Sequence, residues 1–211
     1  MRRNHLNQSR AEQDFAWLNL PDRNAERYAA DAFRDDLEDV ARAARMTLVP
    51  GYRLVRVEEE ASDFVIVLLC DSTQEIAYSI HCDLWEGVVL NGKPLLEVRV
   101  WRTGLVKHHR ITSGLAEAVF RLYLLERYRL IASACTQIFA GREFWIRQLG
   151  HALAYGGQVY RYNPLDGQLL AITDHSDIVS NACDLWGDAT GETVLAIFSQ
   201  DVLHNVPAAA G

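Results

Sequence analysis

Apolar positions change their spacing along the chain, and each change predicts a different kind of element. Ala11, Phe15 and Leu18 make a short amphipathic stretch, and Pro21-Asp22 marks a new helix start. From there Ala25, Tyr28, Ala29, Ala32, Phe33, Leu37, Val40, Ala41 and Ala44 recur at helical spacing. Asp35, Asp36, Glu38 and Asp39 take the other face, and Arg42 and Arg45 fall in the last turns, where a cation suits the helix dipole. Residues 1–48 are therefore expected to form a helical arm whose acidic face is solvated or docks a partner.

After Pro50-Gly51 the pattern turns to strands. Residues 52–57, 63–70 and 75–82 are rich in β-branched and aromatic side chains, with a turn at Ser72-Thr73. Asn91-Gly92, a strong hairpin signal lengthened by Lys93-Pro94, joins 88–90 to 95–101. Alternation in Glu97-Val98-Arg99-Val100-Trp101 predicts a half-buried strand. A helix is expected from 113 to 127, capped by Thr112 or Ser113. It is apolar around so much of its circumference that it should lie buried against a sheet. A short strand at 130–134, a helix at 137–153, and strands at 158–162, 168–173 and 193–198 complete the order. The turn at Asp166-Gly167 links two of these strands.

The layout is α/β in the α+β manner: a central mixed, mostly antiparallel sheet flanked by helices, preceded by the helical arm. The main domain is expected over 49–200, and 201–211 reads as a flexible tail.

Charge and cysteine usage narrow the function classes. The formal charge is −7, which disfavours a broad duplex-binding surface, because such surfaces work by displacing counterions with cations. A local basic patch remains at Lys107, His108, His109 and Arg110. No apolar run approaches the ~18 residues of a membrane span, and no apolar stretch follows the basic start, so neither a span nor a secretory leader is expected. Cys70, Cys82, Cys135 and Cys183 show no CxxC spacing, which disfavours zinc ribbons and thioredoxin-type motifs. They read as reduced core residues of a cytoplasmic protein. Trp85, Trp101, Trp145 and Trp186 read as core anchors, and contiguous Asp174-His175-Ser176 as a loop, since a triad needs side chains from separate places.

The informative segment is 95–134. A strand passes through a basic loop into Arg110-Ile111-Thr112-Ser113-Gly114-Leu115-Ala116, which opens the buried helix. A helix start offers amides without intrahelical acceptors and a positive dipole end, and glycine allows close approach, so a phosphate at the amides of Ser113, Gly114, Leu115 and Ala116 is physically sensible. An ordinary cap accounts for the same residues.

The arrangement resembles the GNAT superfamily of acetyltransferases, in which a [QR]xxGx[GA] loop leads from a strand into a helix that binds the pyrophosphate of acetyl-CoA. Gly114 and Ala116 match the last two positions; Ile111 stands where Arg or Gln is expected, with Arg110 one residue early. The chain is more similar to a divergent, bacteriophage-encoded GNAT-like group. Shared in order are Ser113-Gly114-Leu115-Ala116, Leu130-Ile131-Ala132-Ser133, Gln137, Gly141, Phe144-Trp145, Leu149, Val159-Tyr160, Asp166-Gly167, Leu185-Trp186-Gly187 and Val194-Leu195-Ala196, over about residues 95–198.

The resemblance implies an N-acyltransferase using acetyl-CoA (or CoA as its product) on a small-molecule or protein amine. Cofactor contacts would come from Lys107, His109, Arg110, Thr112, Ser113, Gly114, Leu115, Ala116, Ser133 and Gln137. Glu97 would be the base that takes the amine's proton, and Tyr160 or Tyr162 the acid that protonates the leaving thiolate. Core packing of the tyrosines and simple exposure of Glu97 on its strand compete with those roles. The other class of function is a catalytically silent GNAT-shaped protein that binds a host bacterial enzyme. A nucleic-acid acetyltransferase is disfavoured by the net charge unless Arg99, Arg102, Lys107 and Arg110 form a local patch. A homodimer stays open.

Overall fold

A computed structural model describes residues 15–59, 63–85, 90, 92–132, 139–182, 185 and 194–204. The described residues form two compact units: one comprises those from Phe15 to Asp83 together with Val98–Tyr123, the other Leu84–Glu97 together with those from Leu124 onward. The fold is the mixed α+β layout expected, with a nine-stranded sheet in which most pairs are antiparallel.

In the first unit, α1 (Pro21–Ala32) begins with proline in its first turn and Asp22 beside the positive dipole end. It stops well short of the expected end. The chain turns at Phe33, and Glu38–Asp39 becomes β1, paired antiparallel with Arg56 and Val55 of β2 (Tyr52–Glu58). Helical spacing is a weak prior, and here ladder pairing and a 2.6 Å hydrogen bond from the Tyr123 hydroxyl to Glu38 outweigh it. A short helix, α2 (Val40–Ala43), follows, capped by Asp39, whose side chain accepts from the Arg42 amide at 2.9 Å.

β2, β3 (Phe64–Cys70) and β4 (Glu75–Leu84) form an antiparallel meander. All seven residues of β3 are buried, so the strand is covered on both faces, as its unbroken apolar run requires. One face packs Val55, Val57, Val65, Val67, Leu69 and Ile76 against Tyr28 and Ala32 of α1. A bulge lies between β3 and β4: Leu68 opposes Tyr78, but Leu69 opposes Ile76, so Ala77 is the extra residue. β5 (Leu95–Arg102) follows β4 in the sheet, and its end is tied back by the Thr103 amide donating to Ala77 O at 3.2 Å. The alternation expected over 97–101 is corrected: Glu97, Val98 and Trp101 are buried and Arg99 and Val100 partly so, with no alternating pattern.

After β5 come a 3-10 turn (Val106–His108), a helical turn α3 (His109–Thr112) and the helix α4, residues 115–127. α4 widens to a π-helix over Phe120–Leu124. The expected side-chain cap is corrected: Gly114 is the N-cap, at φ +71°, and the Thr112 hydroxyl donates to His108 O at 3.0 Å instead.

In the second unit, β6 (Arg129–Ala132) runs parallel to β5 over Leu95–Glu97. α5 (Phe139–Ala154) crosses to β7 (Gln158–Asn163), which pairs antiparallel with β8 (Gln168–Ile172). α6 (His175–Ser180) precedes β9 (Leu195–Ser199). β9 inserts between β6 and β7, giving the sheet order β1-β2-β3-β4-β5-β6-β9-β7-β8. The loop expected at Asp174-His175-Ser176 is a helix start: the Asp174 carboxylate accepts from the Asp177 amide at 3.0 Å and the Ser176 hydroxyl at 2.6 Å. Trp145 is buried and meets Phe198 edge-on at 6.2 Å. Leu95, Ile131, Tyr160, Tyr162, Leu195, Ile197 and Leu203 form this unit's cluster.

The hairpin signal at Asn91-Gly92 has a tertiary reason beyond turn chemistry. Gly92 sits at φ +87°, and a Cβ there would overlap the guanidinium of buried Arg129, whose Nη1 donates to Lys93 O at 3.1 Å. Gly92→Ala is expected to cost about 2–3 kcal/mol, from left-handed strain plus displacement of a buried cation. Urea unfolding midpoints check it; a loss below ~0.5 kcal/mol would show that the guanidinium yields freely.

Candidate functional site

The basic loop does not act as one patch. Lys107 and His108 turn inward to the Glu75 carboxylate, while His109 and Arg110 are exposed. Leu115 and Ala116 are buried on α4, and Ser113 and Gly114 are exposed at its start. A Cβ at Gly114 would meet nothing within 4 Å, so its glycine answers to backbone conformation rather than crowding. Ser133 and Gln137 lie outside the described residues, as do Cys135, Cys183 and Trp186.

Glu97, Tyr160 and Tyr162 belong to the second unit, and register places all three on one face of the sheet. Glu97 opposes Ile131, Ile131 opposes Ile197, and Ile197 opposes Tyr160. Tyr162, two residues on, opposes Leu195 on the same face. Three strand spacings separate Glu97 from Tyr160, roughly 14 Å at ~4.8 Å each. Glu97 is 3% exposed, which corrects its reading as an exposed member of an alternating strand. The Tyr160 hydroxyl accepts from the Leu203 amide at 3.0 Å, and burial raises the Tyr162 pKa, with Asp166 adding to it.

The densest chemistry lies where composition had suggested plain core. Tyr52 opposes Cys70 across β2 and β3, and Cys70 opposes Glu75 across β3 and β4, so three polar or reactive residues stand in one row at the sheet's end. The bulge creates this row. Were Ala77 paired with Leu69 in a regular ladder instead of bulging out, Ile76 would stand opposite Cys70. His108 comes over the row from the turn after β5.

The hydrogen bonds form a chain. Tyr52 Oη lies 2.8 Å from His108 Nδ1, and His108 Nε2 lies 2.9 Å from Glu75 Oε1. The same carboxylate oxygen also accepts from Thr73 Oγ1 and Lys107 Nζ. The Cys70 thiol meets Ser72 Oγ at 3.3 Å and is also reached by Thr73 and the Tyr52 hydroxyl. Cys70 and His108 are 2% and 1% exposed, whereas Lys107 is half-exposed.

Burial pushes the Cys70 thiol up, but the hydrogen bonds from Ser72, Thr73 and Tyr52 outweigh it and hold the thiol below its ordinary pKa. Burial likewise raises Glu75, and the bonds from Lys107, Thr73 and His108 bring it below the usual carboxylate value. Burial raises Tyr52, and the neighbouring thiol adds to the rise. The cluster therefore holds the thiol and the carboxyl below their ordinary pKa values and the phenol above its own. A ligand atom each from Cys70, Glu75 and His108 lies within 4.8 Å of the others.

Sequence spacing hid this group because its members come from three strands and a turn. The available signal was weak: Cys70 ends an apolar run immediately before Asp71-Ser72-Thr73, where a buried thiol would be met by hydroxyls.

Comparison with known proteins finds no family model, no curated protein and no solved structure that matches the chain. Among the described residues no helix is long and apolar enough to cross a membrane.

Proposed function

We propose that the chain is an acetyl-CoA-dependent N-acyltransferase of the GNAT type acting on an amine. The observation that carries the reading is the crossover from β5 to β6: strand, basic loop, helix opened by a left-handed glycine, then a second strand parallel to the first. That is the order of elements the resemblance calls for.

In this reading the first amides of α4 receive the pyrophosphate. They lack intrahelical acceptors and stand at the positive end of a 13-residue helical run. Exposed His109 and Arg110 supply nearby charge. The amine nitrogen attacks the thioester carbonyl, the C–N bond forms and the C–S bond breaks. Glu97 is assigned to take the amine's proton, and Tyr160 or Tyr162 to protonate the departing thiolate. A tyrosine whose pKa burial has raised is protonated at neutral pH, as that role requires.

Titration calorimetry of the full chain with acetyl-CoA, paired with an assay for released CoA thiol, tests the reading. Micromolar binding is expected, with Gly114→Val weakening it at least tenfold because the left-handed conformation at the helix start resists a β-branched residue. Arg110→Ala, at an exposed position, should weaken it several-fold. No heat at high micromolar acetyl-CoA overturns the proposal. Binding with no thiol release across an amine panel would favour the silent binding protein instead.

A further inference from the structure

We propose that Cys70 Sγ, His108 Nε2 and a carboxylate oxygen of Glu75 form a three-ligand site for a borderline-soft divalent cation of the zinc class. The site is independent of the acyl-transfer reading.

The donor set comes first. A thiolate, an imidazole nitrogen and a carboxylate oxygen are the ligand types that zinc-class ions accept, whereas calcium and magnesium take oxygen alone. Burial of Cys70 and His108 excludes competing water, and half-exposed Lys107 marks the side from which an ion can enter.

Geometry comes second. His108 Nε2 and Glu75 Oε1 are 2.9 Å apart, with one proton between them. Two ligands ~2.0 Å from a tetrahedral zinc are separated by roughly 3.3 Å. An ion can therefore replace that proton after a shift of about 0.4 Å, well within side-chain adjustment. One ligand atom from each of Cys70, Glu75 and His108 lies within 4.8 Å of the others, and a side-chain closure on the order of 1 Å brings sulfur to its ~2.3 Å bond.

The surroundings supply the orientation such sites need. A metal-bound histidine usually donates its other ring N–H to a fixed acceptor. Tyr52 Oη stands 2.8 Å from His108 Nδ1, so Nδ1–H can donate to it while Nε2 faces Glu75, and the phenol proton can in turn point to Cys70. This fixes the tautomer that binds through Nε2. Three protein ligands leave a fourth position, on the side where the Lys107 ammonium now meets Glu75. Lys107 must swing into solvent when the ion enters. The ion's two positive charges then balance the thiolate and the carboxylate. Thiolate and imidazole bind a metal only in their deprotonated forms, so whatever protons these ligands carry leave to solvent as the ion enters and binding strengthens as pH rises.

The test uses the full chain, stripped of metal by chelator, and cobalt(II) or zinc(II) alone as probe. One equivalent of cobalt is expected to bind with a thiolate-to-cobalt charge-transfer band in the near ultraviolet. Zinc should displace it. Cys70→Ser should abolish the band, and His108→Gln and Glu75→Gln should each weaken zinc by at least tenfold. Tyr52→Phe, which leaves Nδ1 without its acceptor, should cost 10–100-fold. Lys107→Met should tighten binding several-fold, a sign opposite to any loss caused by misfolding. If Cys70→Ser does not fold, the wild-type spectrum and Lys107→Met still decide. A folded wild-type chain with no thiolate band, a band that persists in folded Cys70→Ser, or weaker binding in Lys107→Met overturns the proposal.

Discussion

Replacing Asn24 with leucine is expected to destabilise the protein by about 4 kcal/mol, the largest single effect foreseen for a polar residue here. Asn24 is buried on α1 and clamps the helix to the sheet. Its Nδ2 donates to Leu18 O and to Ile76 O at 3.0 Å each, and its Oδ1 accepts from the Ile76 amide at 2.7 Å. Leucine offers neither donor nor acceptor. Two carbonyls and one amide, on residues that are themselves 3% and 1% exposed, would lose their partner. A buried polar group left without its partner costs roughly 1–3 kcal/mol, so three such groups together give a loss of about 4 kcal/mol. Asn24→Asp should be nearly as harmful, because it keeps the acceptor but loses both donors. Urea unfolding gives the measurement, and a loss under 1 kcal/mol would mean that Ile76 finds other partners. Ile76 adjoins the bulge that brings Glu75 level with Cys70, so the same clamp supports the geometry of the Cys70–His108 cluster.

The second large effect is a loss of stability in acid that traces to His81. Burial lowers its pKa to about 3, and the cations Arg99 and Arg27 lower it further. Phe15 packs edge-on against the ring at 4.7 Å, adding no acceptor for a second proton. In the unfolded chain the imidazole titrates at its ordinary value near 6.5. Between pH 6.5 and about 3 the unfolded state therefore holds more protons than the folded one, and stability falls as pH falls through that window. Above pH 6.5 both states are neutral at this residue and it contributes no slope. From pH 7 to 4.5 the expected loss is about 2 kcal/mol, after allowing for the ring's partial contact with water. His81→Phe should remove that slope, because the aromatic partner of Phe15 is kept and the titrating group is gone. Asp31, raised by burial, and Asp71 and Glu75, lowered by their cationic and hydroxyl partners, titrate in both proteins and cancel in the difference. Equal pH dependence in His81→Phe and wild type would refute the assignment.

Much of the fold was legible in residue patterns because its cause is local. The seven-residue apolar run of β3, the alternation and β-branched content of its neighbours, and the turn at Asp166-Gly167 each express a backbone preference or a burial requirement carried by adjacent residues. The same holds for α5 and for the helix from 115 to 127. Failures fall where distant residues outvoted local spacing. Helical periodicity ran on past Ala32, yet Glu38–Asp39 joined the sheet because β2 offered a ladder and Tyr123 a hydrogen bond. Glu97 looked solvent-facing in an alternating strand, yet it stands in an inner strand paired with β6 and is 3% exposed.

The amino-acid order alone decides that this is an acidic α+β chain with a strand, a basic loop and a glycine-started buried helix in succession, since these follow from composition, period and turn chemistry. Tertiary structure decides which of the loop's cations face solvent and which neutralise Glu75. It also decides that Tyr52, Cys70, Glu75 and His108 meet at all. Cross-strand register turns on one extra residue in β4, and a bulge of that kind moves side chains between rows without leaving a trace in spacing along the chain.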